Sequence, residues 1–77
     1  MTLYYFNSQN DKLELDLEGT ELANMDQARC EALVLLGEMV RDEYRHSAWN
    51  GTPWRIWVSD GPRGGGSVLF TVKLSAK

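Results

Sequence analysis

The chain has a single stretch of helical periodicity, lying between two pairs of strand-like segments. One helix can cover only one face of a small sheet, so the other face must meet water, a second copy or a partner. Any fold for these 77 residues has to answer that requirement.

Thr2–Asn7 is rich in aromatics (Leu3, Tyr4, Tyr5, Phe6), which favours a strand. The pattern leaves open whether Leu3 and Tyr5 or Tyr4 and Phe6 face inward. Ser8-Gln9-Asn10-Asp11 has turn chemistry. Lys12–Leu17 then alternates, with Leu13, Leu15 and Leu17 on one side and Lys12, Glu14 and Asp16 on the other, which predicts the second arm of a hairpin. Glu18-Gly19 ends that arm, and Leu22 is an apolar anchor ahead of the helix.

Asn24 is a good N-cap, Gln27 is its capping-box partner, and Asp26 suits the positive end of the helix dipole. The spacing predicts a helix to about Tyr44, with Met25, Ala28, Ala32, Leu33, Leu36, Met39 and Val40 as its apolar stripe. Val34 falls on the polar side, either as an ordinary exposed residue or as a contact with another chain. Asn50-Gly51 and Pro53 place a loop over 45–53. Trp54–Asp60 and Ser67–Leu74 alternate as a second hairpin around the glycine-rich turn from Gly61 to Gly66. Val68, Phe70, Val72 and Leu74 are expected on one side, and Leu69, Thr71 and Lys73 on the other.

The expectation is a single domain over residues 1–77. It is a two-layer α+β fold in which a four-stranded antiparallel sheet packs on one helix in the order β-β-α-β-β. A domain of this size buries about 60% of its unfolded surface. Such a core supplies roughly 3–5 kcal/mol. With one cysteine there is no internal disulfide to add, so oligomerisation is the expected remedy. Trp57, Leu69, Arg55, Thr71 and Lys73 are expected on the uncovered face, resembling an interface patch with a polar rim. The sequence therefore predicts a protein-interaction module, homodimeric or bound to a protein partner, and not an enzyme. Arg29 beside the stripe predicts a structural ion pair with Glu18 or Glu21.

Other chemistry finds little footing. The acids from Asp16 to Glu21 lack the spacing of a calcium loop, and Gly64-Gly65-Gly66-Ser67 precedes a strand and lacks the phosphate-loop lysine. Cys30 and His46 make no zinc set and no nucleophile–base pair, so no metal or cofactor is expected. Met1 leads into polar and aromatic residues without a leader pattern, and no apolar run reaches a membrane span, which predicts a cytoplasmic protein. Charge is uneven: residues 1–44 hold ten acids against three bases, and residues 45–77 hold five bases against one acid. Trp49, Trp54 and Trp57 with Arg55, Arg63 and Lys73 keep weak single-stranded nucleic-acid binding by the second hairpin as the alternative.

Several stretches together resemble a family of small bacterial proteins known only as a domain of unknown function. They are Tyr4-Tyr5-Phe6, Asp16-Leu17-Glu18-Gly19-Thr20-Glu21-Leu22, Ala28-Arg29-Cys30-Glu31-Ala32-Leu33, Arg41-Asp42, Trp54-Arg55-Ile56-Trp57-Val58-Ser59-Asp60 and Val68-Leu69-Phe70-Thr71-Val72. The resemblance covers nearly the whole chain and implies no activity, so it carries over no catalytic residue. Such proteins usually close the last hairpin with a shorter Asp–Gly turn, and Gly61–Gly66 departs from that pattern. The layout is similar, more loosely, to the sheet domain of HicB-type antitoxins, which bind a toxin; this is a likeness of fold.

Overall fold

The computed structural model describes residues 2–10, 12–47 and 53–75, with the side chains of 43–47 left aside. The expectations for Trp49 and the Asn50-Gly51 turn lie outside the described residues, as does that for the His46 side chain. Strands β1 (Thr2–Gln9), β2 (Leu13–Glu14) and β3 (Thr20–Leu22) precede helix α1 (Met25–Ser47), and β4 (Trp54–Ser59) and β5 (Val68–Leu74) follow it. The sheet runs β2-β1-β4-β5, with β3 also paired to β1, and every pairing is antiparallel. The fold is α+β, one helix on one sheet. No helix among the described residues is long and apolar enough to cross a membrane.

The helix begins where the capping residues place it. Asn24 Oδ1 accepts from the Gln27 N–H at 3.0 Å, and Gln27 Oε1 reaches back to the Ala23 N–H at 2.9 Å. It runs past Tyr44 to Ser47, inside the stretch expected to be loop. Its small residues Ala28 and Ala32 are fully buried, so the helix axis can lie close over β4. There they meet Ile56 and Val58, with Tyr4, Leu36 and Trp54 completing the core. Each fully buried side chain of this size contributes about 1.5–3 kcal/mol. Leu33, expected in the stripe, instead sits on the helix flank and is 53% exposed.

The first strand turns Tyr4 and Phe6 towards the helix, so Leu3 and Tyr5 face outwards. The leucines of the second segment do not follow the expectation. Leu13 pairs with Gln9 and Glu14 with Ser8, which puts Leu13 on the outer side and Glu14 on the helix side. Leu13, Leu15 and Leu17 are all exposed. The arm breaks after Glu14 because Asp16 captures the backbone around it, and pairing resumes only as β3. A further correction falls on β5. Its register slips between Val58 and Ser59, so Val68 pairs with Ser59 and is exposed instead of packing on the helix.

Candidate interaction surface

Cross-strand partners share a face, so Tyr5, Asn7 and Gln9 of β1 lie beside Ser59, Trp57 and Arg55 of β4, with Thr71 and Lys73 of β5 alongside. This is the face the helix leaves uncovered. Asn7 is fully buried in it. Its amide donates to Ser59 Oγ at 3.1 Å and, at 3.4 Å, to the Tyr5 and Trp57 carbonyls, while its Oδ1 accepts from the Asp16 N–H at 3.0 Å. Ser59 Oγ donates on to the Gly61 carbonyl at 3.0 Å. The Asp16 carboxylate accepts three backbone N–H groups, from Phe6, Glu18 and Gly19, at 3.0–3.1 Å. Burial on its own would raise the Asp16 pKa; the donors at Gly19, Phe6 and Glu18 outweigh it and hold the carboxyl below its ordinary range.

This network ties two loops across the face. The Arg63 N–H donates to the Asp16 carbonyl at 2.8 Å, joining the turn at Pro62–Gly64 to the segment that follows β2. Gly19 and Gly64 make the close approach possible. Both have positive φ, near 77° and 71°, and a Cβ on either would lie 2.9 Å from the Tyr5 ring or 3.2 Å from Leu15. The glycine-rich turn is thus a lid with fixed contacts.

The lid changes the status of the expected interface residues. Trp57 is 7% exposed, with the loop at Gly64 against one side of its indole and the Arg55 guanidinium 4.2 Å from its ring centroid. It is covered by its own chain, so it offers no open contact. Leu69, Thr71 and Lys73 do remain exposed, all on β5, while Arg55 is half-buried. Arg29 pairs with Asp26 at 3.0 Å and not with Glu18 or Glu21, because Asp26 stands three residues away on the same side of the helix. Arg29 also lies over the Phe70 ring at 5.8 Å.

What stays open is the edge of β5. The Trp57 carbonyl points to β1, since it accepts from Asn7 there, and the Phe6 N–H points the opposite way, to Asp16. Alternation along each strand then directs Ile56 and Val58 to β5 and turns the N–H and C=O groups of Thr71 and Lys73 to the free edge. Among the described residues no strand pairs with that edge. Exposed Val68 and Leu69 lie on it, and half-buried Phe70, Val72 and Leu74 back it. The sequence carried the strand but not its place at the edge, and it carried Asn7 and Asp16 without their roles. The Asp16–Gly19 spacing is the one local signal that could have disclosed the turn.

A family model described as a domain of unknown function, DUF6894, matches residues 3–75. No curated protein and no solved structure matches the chain, so the looser likeness to HicB antitoxins gains no support.

Proposed function

The chain belongs to the DUF6894 family, a domain of unknown function, and we propose that it is a non-enzymatic interaction module that pairs with a second copy of itself along β5. The open β5 edge carries this reading. An unpaired, largely apolar strand at a sheet edge is a template for another strand, and soluble proteins ordinarily blunt it or use it.

The sequence of β5 is suited to pairing with itself. Antiparallel overlap of the full strand about Thr71 sets Val68 against Leu74, Leu69 against Lys73 and Phe70 against Val72, with Thr71 facing its own copy. Val68 meets Leu74 and Phe70 meets Val72, Leu69 lies against the stem of Lys73, and no lysine faces a lysine. The same register sets the outward N–H and C=O groups of Thr71 against those of its own copy, the self-complementary contact that a two-fold axis requires.

Light scattering tests the reading. The expected mass is twice the 8.8 kDa of one chain, and a monomer at high micromolar concentration overturns the proposal. Thr71→Lys places two like charges across the axis at an exposed position, and Thr71→Pro removes an outward N–H. Both are expected as folded monomers by circular dichroism, and a variant that folds and stays dimeric removes β5 from the contact.

A further inference from the structure

The broken second arm leaves a gap on the helix side of the sheet, at the edge opposite β5. Leu13 pairs with Gln9 on the outer side, and Leu15 lies by Gly64 and Trp57, so neither covers the helix there. The result is an open cleft of about 250 Å³, lined by Phe6 and Ile56 from the sheet and by Leu35 and Met39 from the helix. Two polar side chains share it. Ser8 is one alternation beyond Phe6 on β1 and therefore faces the same way, and Glu14 is its cross-strand partner. Ser8 is 8% exposed, and among the described residues its hydroxyl forms no hydrogen bond. Glu14 forms no ion pair among them either.

We infer that this cleft binds a primary ammonium group carried on a small apolar body. An ammonium has three N–H donors and no acceptor, and here a hydroxyl oxygen and a carboxylate stand side by side to receive them. Directly opposed residues of a strand pair have Cβ atoms about 4.5–5.5 Å apart, so one nitrogen can meet both Ser8 and Glu14. The surroundings carry the matching sign. The Asp16 carboxylate, already engaged by three backbone N–H groups, also borders the cleft and adds negative field without needing to touch the ligand. On the helix, exposed Glu38 and Asp42 follow Leu35 and Met39 at the spacing that shares a flank. The apolar walls take the rest of the molecule. Their volume falls below the roughly 300–1,000 Å³ of pockets that hold drug-sized ligands, which limits the body to a single ring or a short alkyl chain. The inference does not rest on the pairing of β5.

The test is a titration of 2-phenylethylammonium into the full chain at constant ionic strength, followed by the Met39 methyl signal, assigned with Met39→Leu, and the Ser8 amide signal. Both are expected to shift and saturate with a dissociation constant on the order of 1 mM. 3-Phenylpropionate has a similar apolar body with the opposite charge and is expected to leave them in place. The trimethylated amine keeps the charge but has no N–H, and it is expected to bind more weakly. Glu14→Gln removes the charge at an exposed position, and Ser8→Ala removes the hydroxyl. Each is expected to fold, by circular dichroism, and to weaken binding about threefold. A short peptide with one lysine, blocked at both ends, separates the sources. If it moves the same signals at lower concentration and competes with the amine, the ammonium is a lysine of a protein partner; if it does not, the cleft takes a free small amine. Signals that respond to the amine no more than to sodium chloride overturn the inference, and so does 3-phenylpropionate bound as tightly. Folded Glu14 and Ser8 variants of unchanged affinity overturn the assignment of the two polar groups, and a trimethylated amine bound as tightly overturns the choice of a primary ammonium.

Discussion

Replacing Asp16 by Asn tests the claim that one carboxylate holds the cover over the outer face. In the native chain its oxygens accept from Phe6, Glu18 and Gly19. An asparagine can keep the bonds to Glu18 and Gly19 through its carbonyl oxygen, but its NH₂ then points at the Phe6 N–H, donor against donor. One charge-assisted hydrogen bond is lost and a strand N–H is left without its acceptor, which together cost about 1.5–3 kcal/mol. Against the roughly 3–5 kcal/mol available to a domain of this size, that is a large part of the total. Urea unfolding followed by tryptophan fluorescence reads it directly, because Trp57 lies under the pinned loop. The acid dependence supplies a second check. The folded-state pKa of Asp16 lies below its ordinary value near 3.8, so its stabilisation is fully present above that value and is lost as pH falls through the folded one. The gap in stability between native chain and variant should therefore be constant near neutrality and close below about pH 4. A variant as stable as the native chain, or a gap unchanged at about pH 3, refutes the reasoning.

Asn7→Leu keeps the volume but strips partners from Ser59 Oγ and the Asp16 N–H; a loss of about 2–4 kcal/mol is expected in the same urea assay. Gly19→Ala forces a Cβ into the left-handed region and against the Tyr5 ring, with an expected cost of about 1–3 kcal/mol by thermal unfolding; a neutral effect would mean that the loop does not press on Tyr5.

Periodicity carried the helix and its start because both are local. Asn24 and Gln27 are close in sequence, and the bonds they make are made within the same turn. Trp54, Ile56 and Val58 likewise alternate in a strand long enough for the inward set to be read from spacing alone. The second segment misled for a physical reason. Lys12–Leu17 alternates well, but alternation fixes sides only while the strand continues, and Asp16 ends it by bonding its own neighbours. Leu13 and Leu15 then sit on the outer side, where the pattern alone would put charges. The bulge at Val58 and Ser59 had the same consequence for Val68. The cover over Trp57 was beyond reach for a different reason. It depends on Arg63 meeting Asp16, residues far apart in sequence, and on left-handed backbone that a run of glycines permits without requiring.

The outer face therefore divides into parts with different fates. At one end, apolar and polar groups at Tyr5, Asn7, Trp57 and Ser59 are satisfied internally by the two joined loops. That end has no unmet demand for a partner. At the other end Arg55 and Lys73 are cross-strand neighbours, and among the described residues neither forms an ion pair with a carboxylate. Along the side, the N–H and C=O groups of Thr71 and Lys73 face an edge with which no strand pairs among the described residues. A strand laid along that edge supplies hydrogen bonds that the free chain makes only to water. The proposed pairing therefore uses the β5 edge, and the tryptophan that looked most like an anchor in the sequence serves the fold instead.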